Sequence, residues 1–271
     1  MTDFANKAQL VNYDQYRSLI EGFSAHEWDW YTGVIIWKTQ NPWTALRGQM
    51  YDYYLDPNAC LYGLRAAGEQ FHLMYNRTDS AIYTLNNGFS ANKDLMMVVK
   101  AYDMQGNSKL IAQVITPIEP QLPKPVLYIN KEIKKLASKE GTFLVLQLLD
   151  MNKQPVSENI YWLPDSTGNY SGLQHIASSK ITAVAINKGS GKIEITLSNK
   201  EGNVPAFFNR LSVIHAATTE RVLPAFYSDN YVTLMPDETK KISIDYPETL
   251  KEKPRIMISG WNVKENIVEV E

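Results

Sequence analysis

The sequence predicts a mainly β protein in which an α-β-α unit precedes two consecutive β-sandwiches. Helical patterns and one continuous β-branched apolar run are confined to the first 76 residues. Short alternating stretches separated by turns fill the rest of the chain, as is typical of sandwiches. The turn-rich cluster PDSTGN near residues 165–168 divides these stretches into two sets. We therefore expect units at 1–76, 77–166 and 167–271.

The first helix is predicted by apolar residues at helical spacing, with a stop near Gly22. These residues are Ala8, Val11, Tyr16, Leu19, Ile20 and Phe23. Ser24 followed by Glu27 has the form of a capping box, which predicts a short second turn through Trp28 and Trp30.

The run GVIIW, residues 33–37, predicts a strand buried on both faces in a parallel sheet. Asp56 and Pro57 then supply an N-cap and a proline at the first helical position, so a helix should follow. Its apolar pattern continues through Leu61, Leu64, Ala67, Gly68 and Phe71. Because a lone parallel strand needs neighbours and covered faces, this unit is interpreted as the remnant of a larger α/β domain.

The predicted strands form two sets. The first contains AIYTL, LMMVVKAYDM, LIAQVIT, TFLVLQLLD and NIYWLP. The second contains ITAVAIN, KIEITLSN, FFNRLSVIHA, RVLPAFYSDNYVTLMP, KKISIDYP and RIMISGWNV. Each set is long enough to make one sandwich.

The composition argues against several classes of partner. A net charge of -2 gives no basic surface for nucleic acid or an anionic membrane, so neither partner is expected. No apolar run reaches the length of a membrane span, and the first twenty residues lack a signal-peptide pattern. The single cysteine, Cys60, cannot form an intrachain disulfide. The four histidines lie far apart, so neither a metal site nor a cofactor is expected.

Aromatic residues are concentrated near the start of the chain, where four of the six tryptophans lie. A pyranose presents an apolar face and a rim of hydroxyls, so it is bound by an aromatic ring together with amides or carboxylates. Trp37 and Trp43, with Gln40, Asn41 and Asp52, have this composition. The alternative is that the tryptophans belong to the core, which we favour for Trp28, Trp30, Trp162 and Trp261.

Carboxylates do not form an evident catalytic pair. Glu21 and Glu27 lie near helix turns, and Glu69 is predicted on a solvated helix face. Asp52 is the best placed carboxylate, but glycoside hydrolysis normally needs two. Asp229 and Asn230 are predicted to cap backbone groups between strands, with a sugar hydroxyl or an ion as the alternative ligand.

Residues 32–76, TGVIIWKTQNPWTALRGQMYDYYLDPNACLYGLRAAGEQFHLMYN, resemble the end of the catalytic barrel in glycoside hydrolase family two. The similarity is to the group of mannosylglycoprotein endo-β-mannosidases, exo-β-glucosaminidases and β-mannosidases. The motifs SENIYWLP and YSDNYVTLMPDE resemble the immunoglobulin-like domains that follow the barrel in this family. The resemblance therefore covers essentially the whole chain.

The resemblance implies two immunoglobulin-like β-sandwiches preceded by the last α-β-α segment of a TIM (β/α) barrel. It implies a retaining mechanism with two glutamates, which the family carries upstream of the residues present in this chain. No residue is therefore predicted to be catalytic, and the isolated chain is expected to be inactive. The substrate-binding candidates are Trp37, Asn41, Trp43 and Asp52.

Three roles remain open at this point: part of an enzyme, a carbohydrate-binding module, or a structural support. The expected partners are an oligosaccharide or glycan and the remainder of the chain's own barrel. A cut barrel would expose apolar surface, which predicts a homo-oligomer, refolding of residues 1–76, or contacts with the sandwiches. The resemblance is compatible with a periplasmic or secreted parent enzyme.

Overall fold

The computed structural model describes residues 2–29, 31–44, 49–120, 123–136, 140–250 and 252–271. Its helices are α1 Thr2–Ser24, α2 Ala59–Ala67, α3 Asn130–Leu136 and α4 Ser171–His175. The strands of the first half are β1 Phe71–Asn76, β2 Ala81–Asn86, β3 Asn92–Tyr102, β4 Ser108–Ile118, β5 Lys124–Tyr128, β6 Thr142–Leu149 and β7 Pro155–Leu163. Those of the second half are β8 Ile181–Gly189, β9 Lys192–Asn199, β10 Ala206–Ile214, β11 Phe226–Tyr227, β12 Val232–Leu234, β13 Thr239–Asp245, β14 Arg255–Ser259 and β15 Asn266–Glu269.

The chain divides into two compact units. One consists of Met1–Tyr13, Ile36–Tyr62 and Ala177–Glu271, and the other of Asp14–Ile35 and Gly63–Ile176. We call them the C-terminal unit and the N-terminal unit, after the sandwich that each contains.

The N-terminal unit contains an antiparallel sandwich. Its sheets have the strand orders β1-β2-β5 and β4-β3-β6-β7. Side chains from both sheets form one buried core, which includes Leu73, Ile82, Met97, Val99, Leu144 and Leu146. This alternation of buried residues along the strands is the pattern from which the sequence predicted a sandwich.

Three aspartates close turns of this unit in the same way. The Oδ1 atoms of Asp103, Asp150 and Asp165 each accept hydrogen bonds from the backbone N–H groups two and four residues further on. Such side-chain bonds replace backbone pairing where the chain reverses. The turn cluster at Asp165 is therefore stabilised by its own side chains.

The C-terminal unit contains the second antiparallel sandwich, with strand orders β12-β10-β14-β15 and β11-β13-β9-β8. Its buried residues include Ile193, Ile195, Leu197, Phe207, Leu211, Val213, Ile242, Ile244, Ile256 and Ile258. Tyr13, near the middle of α1, packs edge-on against Phe208 of β10, with ring centroids 5.8 Å apart. Residues of the chain's start thus complete this unit.

The predicted strand at residues 33–37 is not formed. Residues 32–36 lie outside every strand, and Ile35 is 95% exposed. Preceding this run, Tyr31 stacks on Phe23, with ring centroids 4.0 Å apart. A strand requires at least one neighbouring strand to pair with, and none of the described strands pairs with this run. The prediction was wrong because strand propensity without a pairing partner does not make a strand.

The two predicted helices are present with different ends. The first extends over Thr2–Ser24 and so passes Gly22. The second begins at Ala59, later than Asp56 and Pro57 suggested, and ends at Ala67. Phe71 opens β1, where the sequence pattern had continued the helix. The hydrogen bonds of the last helical turn run from Gly68 N to Leu64 O at 3.0 Å and to Arg65 O at 3.2 Å.

Candidate functional site

The candidate site is the irregular stretch of the C-terminal unit that carries the predicted sugar-binding residues. We call residues 36–44 and 49–58 the aromatic segment. Trp37 is 84% exposed and Trp43 is 62% exposed, so neither belongs to the core. Tyr53 and Tyr54 are also exposed, and their rings meet edge to face with centroids 5.1 Å apart. The segment therefore presents four large aromatic side chains to solvent.

Backbone hydrogen bonds fold the aromatic segment back on itself. Tyr51 N donates to Thr39 O at 3.1 Å, which joins its two stretches. Asn58 N donates to Met50 O at 2.8 Å, and Tyr51 forms an antiparallel bridge with Pro57. These bonds give the segment a defined path without regular secondary structure.

Asp52 holds the turn between these bonds. Its Oδ1 atom accepts hydrogen bonds from Tyr54 N at 2.8 Å and from Asp56 N at 3.0 Å. The first role of this carboxylate is thus to fix the backbone that carries Tyr53 and Tyr54. Its half-buried position leaves it at the edge of the aromatic surface.

Asn41 lies beneath the aromatic surface, where it is buried. Gln49, also buried, donates from Nε2 to Asn41 Oδ1 at 3.0 Å. The backbone oxygen of Gln49 in turn accepts a hydrogen bond from Asn58 Nδ2 at 2.7 Å. The corner between the two tryptophans is therefore anchored by a chain of amide side chains. Gln40, by contrast, is exposed.

Asp56 has a role that the sequence did not predict. Its Oδ2 atom forms ion pairs with Arg210 Nη2 at 2.5 Å and with Arg221 Nη1. The cap of α2 is supplied elsewhere, since Ala59 N donates to Gln9 Oε1 at 2.8 Å and Gln9 Nε2 donates to Asn58 Oδ1 at 2.9 Å. An aspartate before a proline resembles an N-cap in sequence, and no local pattern reveals two arginines more than 150 residues away.

A second polar cluster, buried in the N-terminal unit, was also missed. Glu21 of α1 accepts hydrogen bonds from Tyr161 Oη at 2.6 Å and contacts His72 Nε2 at 3.1 Å. Glu69 Oε2 accepts a bond from Ser157 Oγ at 2.5 Å and lies 3.8 Å from His72 Nδ1. Glu69 is therefore engaged with a strand, not on a solvated helix face as predicted.

Burial and the carboxylates of this cluster change the pKa values of His72 and Tyr161. Burial lowers the pKa of His72, but hydrogen bonds to Glu21 and Glu69 outweigh burial and raise it overall. Burial, with the charge of Glu21, raises the pKa of Tyr161 well above its ordinary value. The guanidinium of Arg17 lies 4.3 Å from the centre of the Tyr161 ring and donates to Ile160 O at 2.6 Å. The network links α1 to strand β7 through side chains that are mostly buried, which indicates a structural role.

The other tryptophans occupy different environments. Trp28 was expected in the core but is 55% exposed. Its φ of 65° belongs to a turn, where Trp28 N donates to Tyr31 O, so the side chain is directed by the turn and not by a helix face. Trp30 lies outside the described residues. Trp162 is buried as predicted, whereas Trp261 is only partly buried.

The predicted backbone caps at the corner before β12 are confirmed. Asn230 Oδ1 accepts a hydrogen bond from Leu211 N at 2.8 Å, and its Nδ2 donates to Leu211 O at 3.0 Å. Asp229 accepts a bond from Asn230 N and pairs with Lys240 at 2.7 Å. Both side chains therefore stabilise strand connections.

Other kinds of site are disfavoured within the described residues. They contain no cluster of three or more histidine, cysteine, aspartate or glutamate side chains able to hold a metal ion. No helix within the described ranges is both long and apolar enough to span a membrane. Cys60 is buried, and burial raises the pKa of its thiol to about 12, which disfavours the reactive thiolate.

Several known proteins are similar to this chain over nearly its whole length. Residues 159–263 match the family model described as the exo-β-D-glucosaminidase Ig-fold domain. The mannosylglycoprotein endo-β-mannosidase of Lilium longiflorum is 33% identical over 98% of this chain, which covers 34% of that protein. The exo-β-D-glucosaminidase of Amycolatopsis orientalis is 29% identical over 97% of this chain, which covers 28% of it.

Solved structures agree with these matches. The exo-chitosanase of Amycolatopsis orientalis superimposes with a TM-score of 0.87 and 28% identity, covering 99% of this chain and 35% of that one. The β-D-mannosidase of Dictyoglomus thermophilum, with a TM-score of 0.70 and 15% identity, shares the fold. The chain thus spans about a third of the length of these relatives.

These findings define a mainly β chain that contains an immunoglobulin-like domain matching the exo-β-D-glucosaminidase Ig-fold family. In particular, the chain is a homologue of the mannosylglycoprotein endo-β-mannosidases and exo-β-D-glucosaminidases. The predicted fold class and the predicted resemblance are both confirmed.

Proposed function

We propose that this chain is the C-terminal part of a retaining glycoside hydrolase that acts on β-mannosidic or β-glucosaminidic linkages of glycans. The two catalytic glutamates of such an enzyme would lie in the remainder of its barrel. This chain would supply an aromatic wall of the sugar site and two supporting sandwiches. The proposed domains are 1–76 for the barrel remnant, with sandwiches at 77–166 and 167–271.

The observation that carries this proposal is the exposure of two tryptophans in a chain homologous to these glycosidases. Trp37 and Trp43 keep most of their surface in solvent, although large aromatic side chains contribute strongly when they are buried. A flat ring that is exposed and carried on a hydrogen-bonded backbone is suited to the apolar face of a pyranose. The segment that carries them is the part of the chain with the most specific resemblance to the family.

The proposed contributions of the four site residues differ. Trp37 and Trp43 would contact the sugar faces directly. Asp52 would lie at the polar edge, where a carboxylate can accept hydrogen bonds from sugar hydroxyls. Asn41 would act from below by fixing the corner between the tryptophans, because its side chain is buried and bonded to Gln49.

The sandwiches are proposed to support the barrel. Trp162 is buried in the N-terminal sandwich, which favours support over sugar binding there. The alternative function, a non-catalytic carbohydrate-binding module, would use the same exposed tryptophans without a catalytic partner. The two functions differ in whether a barrel completes the site.

The proposed function is tested by assaying hydrolysis and sugar binding with the purified chain. We expect no hydrolysis of aryl β-mannosides or aryl β-glucosaminides by the purified chain. We expect tryptophan fluorescence to change on titration with β-1,4-linked manno- or glucosamine oligosaccharides. Replacing Trp37 or Trp43 by alanine should weaken this binding about tenfold, the effect of losing roughly 1.4 kcal/mol.

Trp28→Ala is the matched control, because Trp28 is also exposed but belongs to the other unit. Equal binding by the Trp37→Ala, Trp43→Ala and Trp28→Ala variants would exclude the aromatic wall. Measurable turnover by the chain alone would show that its own residues perform the chemistry.

A further inference from the structure

The aromatic segment must be held by something other than burial of its aromatic side chains. Trp37, Trp43, Tyr53 and Tyr54 are all exposed, so their apolar surface contributes little to fixing the backbone. Ordering an irregular segment nevertheless costs about 1–2 kcal/mol per residue in backbone entropy. Together with the buried Met50 and Pro57, the polar contacts beneath the segment therefore fix its conformation.

These polar contacts converge on the carboxylate of Asp56. Its backbone N–H group is bound to Asp52, and its side chain pairs with Arg210 and Arg221. The carboxylate is almost fully buried, whereas the arginines are partly exposed. A carboxylate that is removed from water needs such charged partners, and removing them leaves an uncompensated buried charge.

Both arginines are carried on well-defined backbone of the C-terminal sandwich. Arg210 lies in β10, where it pairs with Ser259 of β14, and its guanidinium lies 5.7 Å from the centre of the Tyr231 ring. Arg221 follows β10 and forms an antiparallel bridge with Ile214. The two cations are thus fixed points against which Asp56 is held.

Backbone strain in the segment indicates that its surroundings determine its conformation. Lys38, next to Trp37, has a φ of 68°, and Leu55, next to Asp56, has a φ of 65°. Non-glycine residues in this region cost of order 1–3 kcal/mol and persist only where neighbouring contacts enforce them. For Leu55 these contacts include its own bond to Asp52 O at 3.1 Å and the ion pairs of the next residue.

We infer that Arg210 and Arg221 are positioning residues that hold the aromatic segment through Asp56. The C-terminal sandwich is on this account a component of the glycan-contacting surface and not only a support. The inference rests on the proposed function for its consequence on sugar binding. Its consequence for the backbone of the segment can be measured without any sugar.

The test uses the full chain with Arg210→Gln, Arg221→Gln and the double variant. The amides of Tyr54 and Asp56 donate to Asp52, so their hydrogen exchange reports directly on the turn. We expect their exchange to accelerate at least about tenfold in the double variant, as local opening becomes easier. The core amide of Ile195, in β9, should keep its exchange rate. Affinity for the oligosaccharides should fall in parallel.

Lys188→Gln is the matched control, because Lys188 pairs with Glu194 at 3.3 Å within the same sandwich. It should leave both readouts unchanged. Should the double variant fail to fold, exchange is measured in Arg221→Gln alone. This variant is expected to fold because Arg210 still pairs with the buried Asp56 carboxylate, and its turn should still exchange faster than in the wild type. Unchanged exchange at Tyr54 and Asp56 in a folded variant would overturn the inference.

The sugar titration separates this inference from the proposed function. A wild-type chain that binds none of the oligosaccharides contradicts the proposed aromatic wall, and the exchange rates still decide the role of the arginines. Suppose instead that the wild-type chain binds sugar and that the double variant binds it with equal affinity although its turn exchanges rapidly. The claim that the arginines matter for the glycan surface is then overturned.

Discussion

The buried hydroxyl of Tyr231 leads to a prediction about the free energy of unfolding. Its side chain is buried, and its hydroxyl has no hydrogen-bond partner among the described residues. Burying a polar group without a partner costs about 1–3 kcal/mol. Tyr231→Phe should therefore leave the free energy of unfolding unchanged or raise it by about 1 kcal/mol, as urea denaturation would measure.

Tyr227→Phe is the matched control for this prediction. The Tyr227 hydroxyl accepts a hydrogen bond from Val213 N at 2.9 Å, and the substitution would leave that buried N–H group unpaired. We expect a loss of about 1–2 kcal/mol. A loss of similar size in Tyr231→Phe would mean that the Tyr231 hydroxyl is bound in solution.

Because the pKa of His72 is raised, the free energy of unfolding should depend on pH. The His72 ring contacts Glu21 and Asn159 and faces Glu69, and Tyr161 donates a hydrogen bond to the same Glu21 carboxylate. Asn159 Nδ2, 3.0 Å from His72 Nδ1, can only donate and so favours the neutral ring. The two carboxylates favour the charged ring, and they prevail because charge-assisted hydrogen bonds are roughly twice as strong as neutral ones.

The sign of the effect follows from the raised pKa of His72. The folded state holds the proton more tightly than the unfolded state, whose value is near the ordinary 6.5. The stabilisation is complete below pH 6.5 and is lost as the pH rises through the folded-state value. The free energy of unfolding should thus decline above that pH. His72→Gln should flatten this decline, and His175→Gln, at an exposed histidine, should not. An identical decline in His72→Gln would assign it to another group.

At the scale of elements, two glycines predict opposite effects of the same substitution. Gly22 lies inside α1, and an added Cβ would meet no atom within 4 Å. Gly22→Ala should stabilise the chain by up to about 1 kcal/mol through helix propensity. Gly172 is the second residue of α4, and a Cβ added there would overlap the backbone oxygen of Glu140. Gly172→Ala should destabilise, and thermal unfolding of both variants would show opposite shifts.

The strands with alternating apolar residues were predicted from the sequence. Alternating runs such as KIEITLSN became strands with alternating burial, as in β9. Three strands were missed for local reasons. The first, β1, continued an apparent helical pattern, β5 is masked by prolines at 123 and 125, and β15 has only four residues. The run at 33–37 failed in the other direction, because pairing depends on distant strands.

The aromatic residues of the candidate site can be selected from the sequence, but the contacts that hold them cannot. The cluster of aromatic side chains was visible in the sequence, and Trp37 and Trp43 are indeed exposed. The ion pairs of Asp56 with Arg210 and Arg221 join residues that are distant along the chain. The spacing of residues along the sequence does not indicate such a contact. Only the folded structure shows which polar groups hold the segment in place.

At the scale of the whole molecule, the exposed apolar run is the feature that the chain alone does not explain. Ile35 and Trp37 are almost fully exposed within a β-branched stretch suited to a buried strand. The homologous enzymes are about three times as long as this chain. On the proposed function, further strands of the barrel would pair with this run and cover it.

The most direct test of the central claim is to sequence the gene upstream of the Met1 codon. If this chain is the C-terminal part of a retaining glycosidase, we expect an open reading frame, continuous with this chain, that encodes a (β/α) barrel with two glutamates at the ends of its fourth and seventh strands. An in-frame stop codon immediately before Met1 would contradict it. The exposed tryptophans would then have to serve a free-standing binding or structural protein.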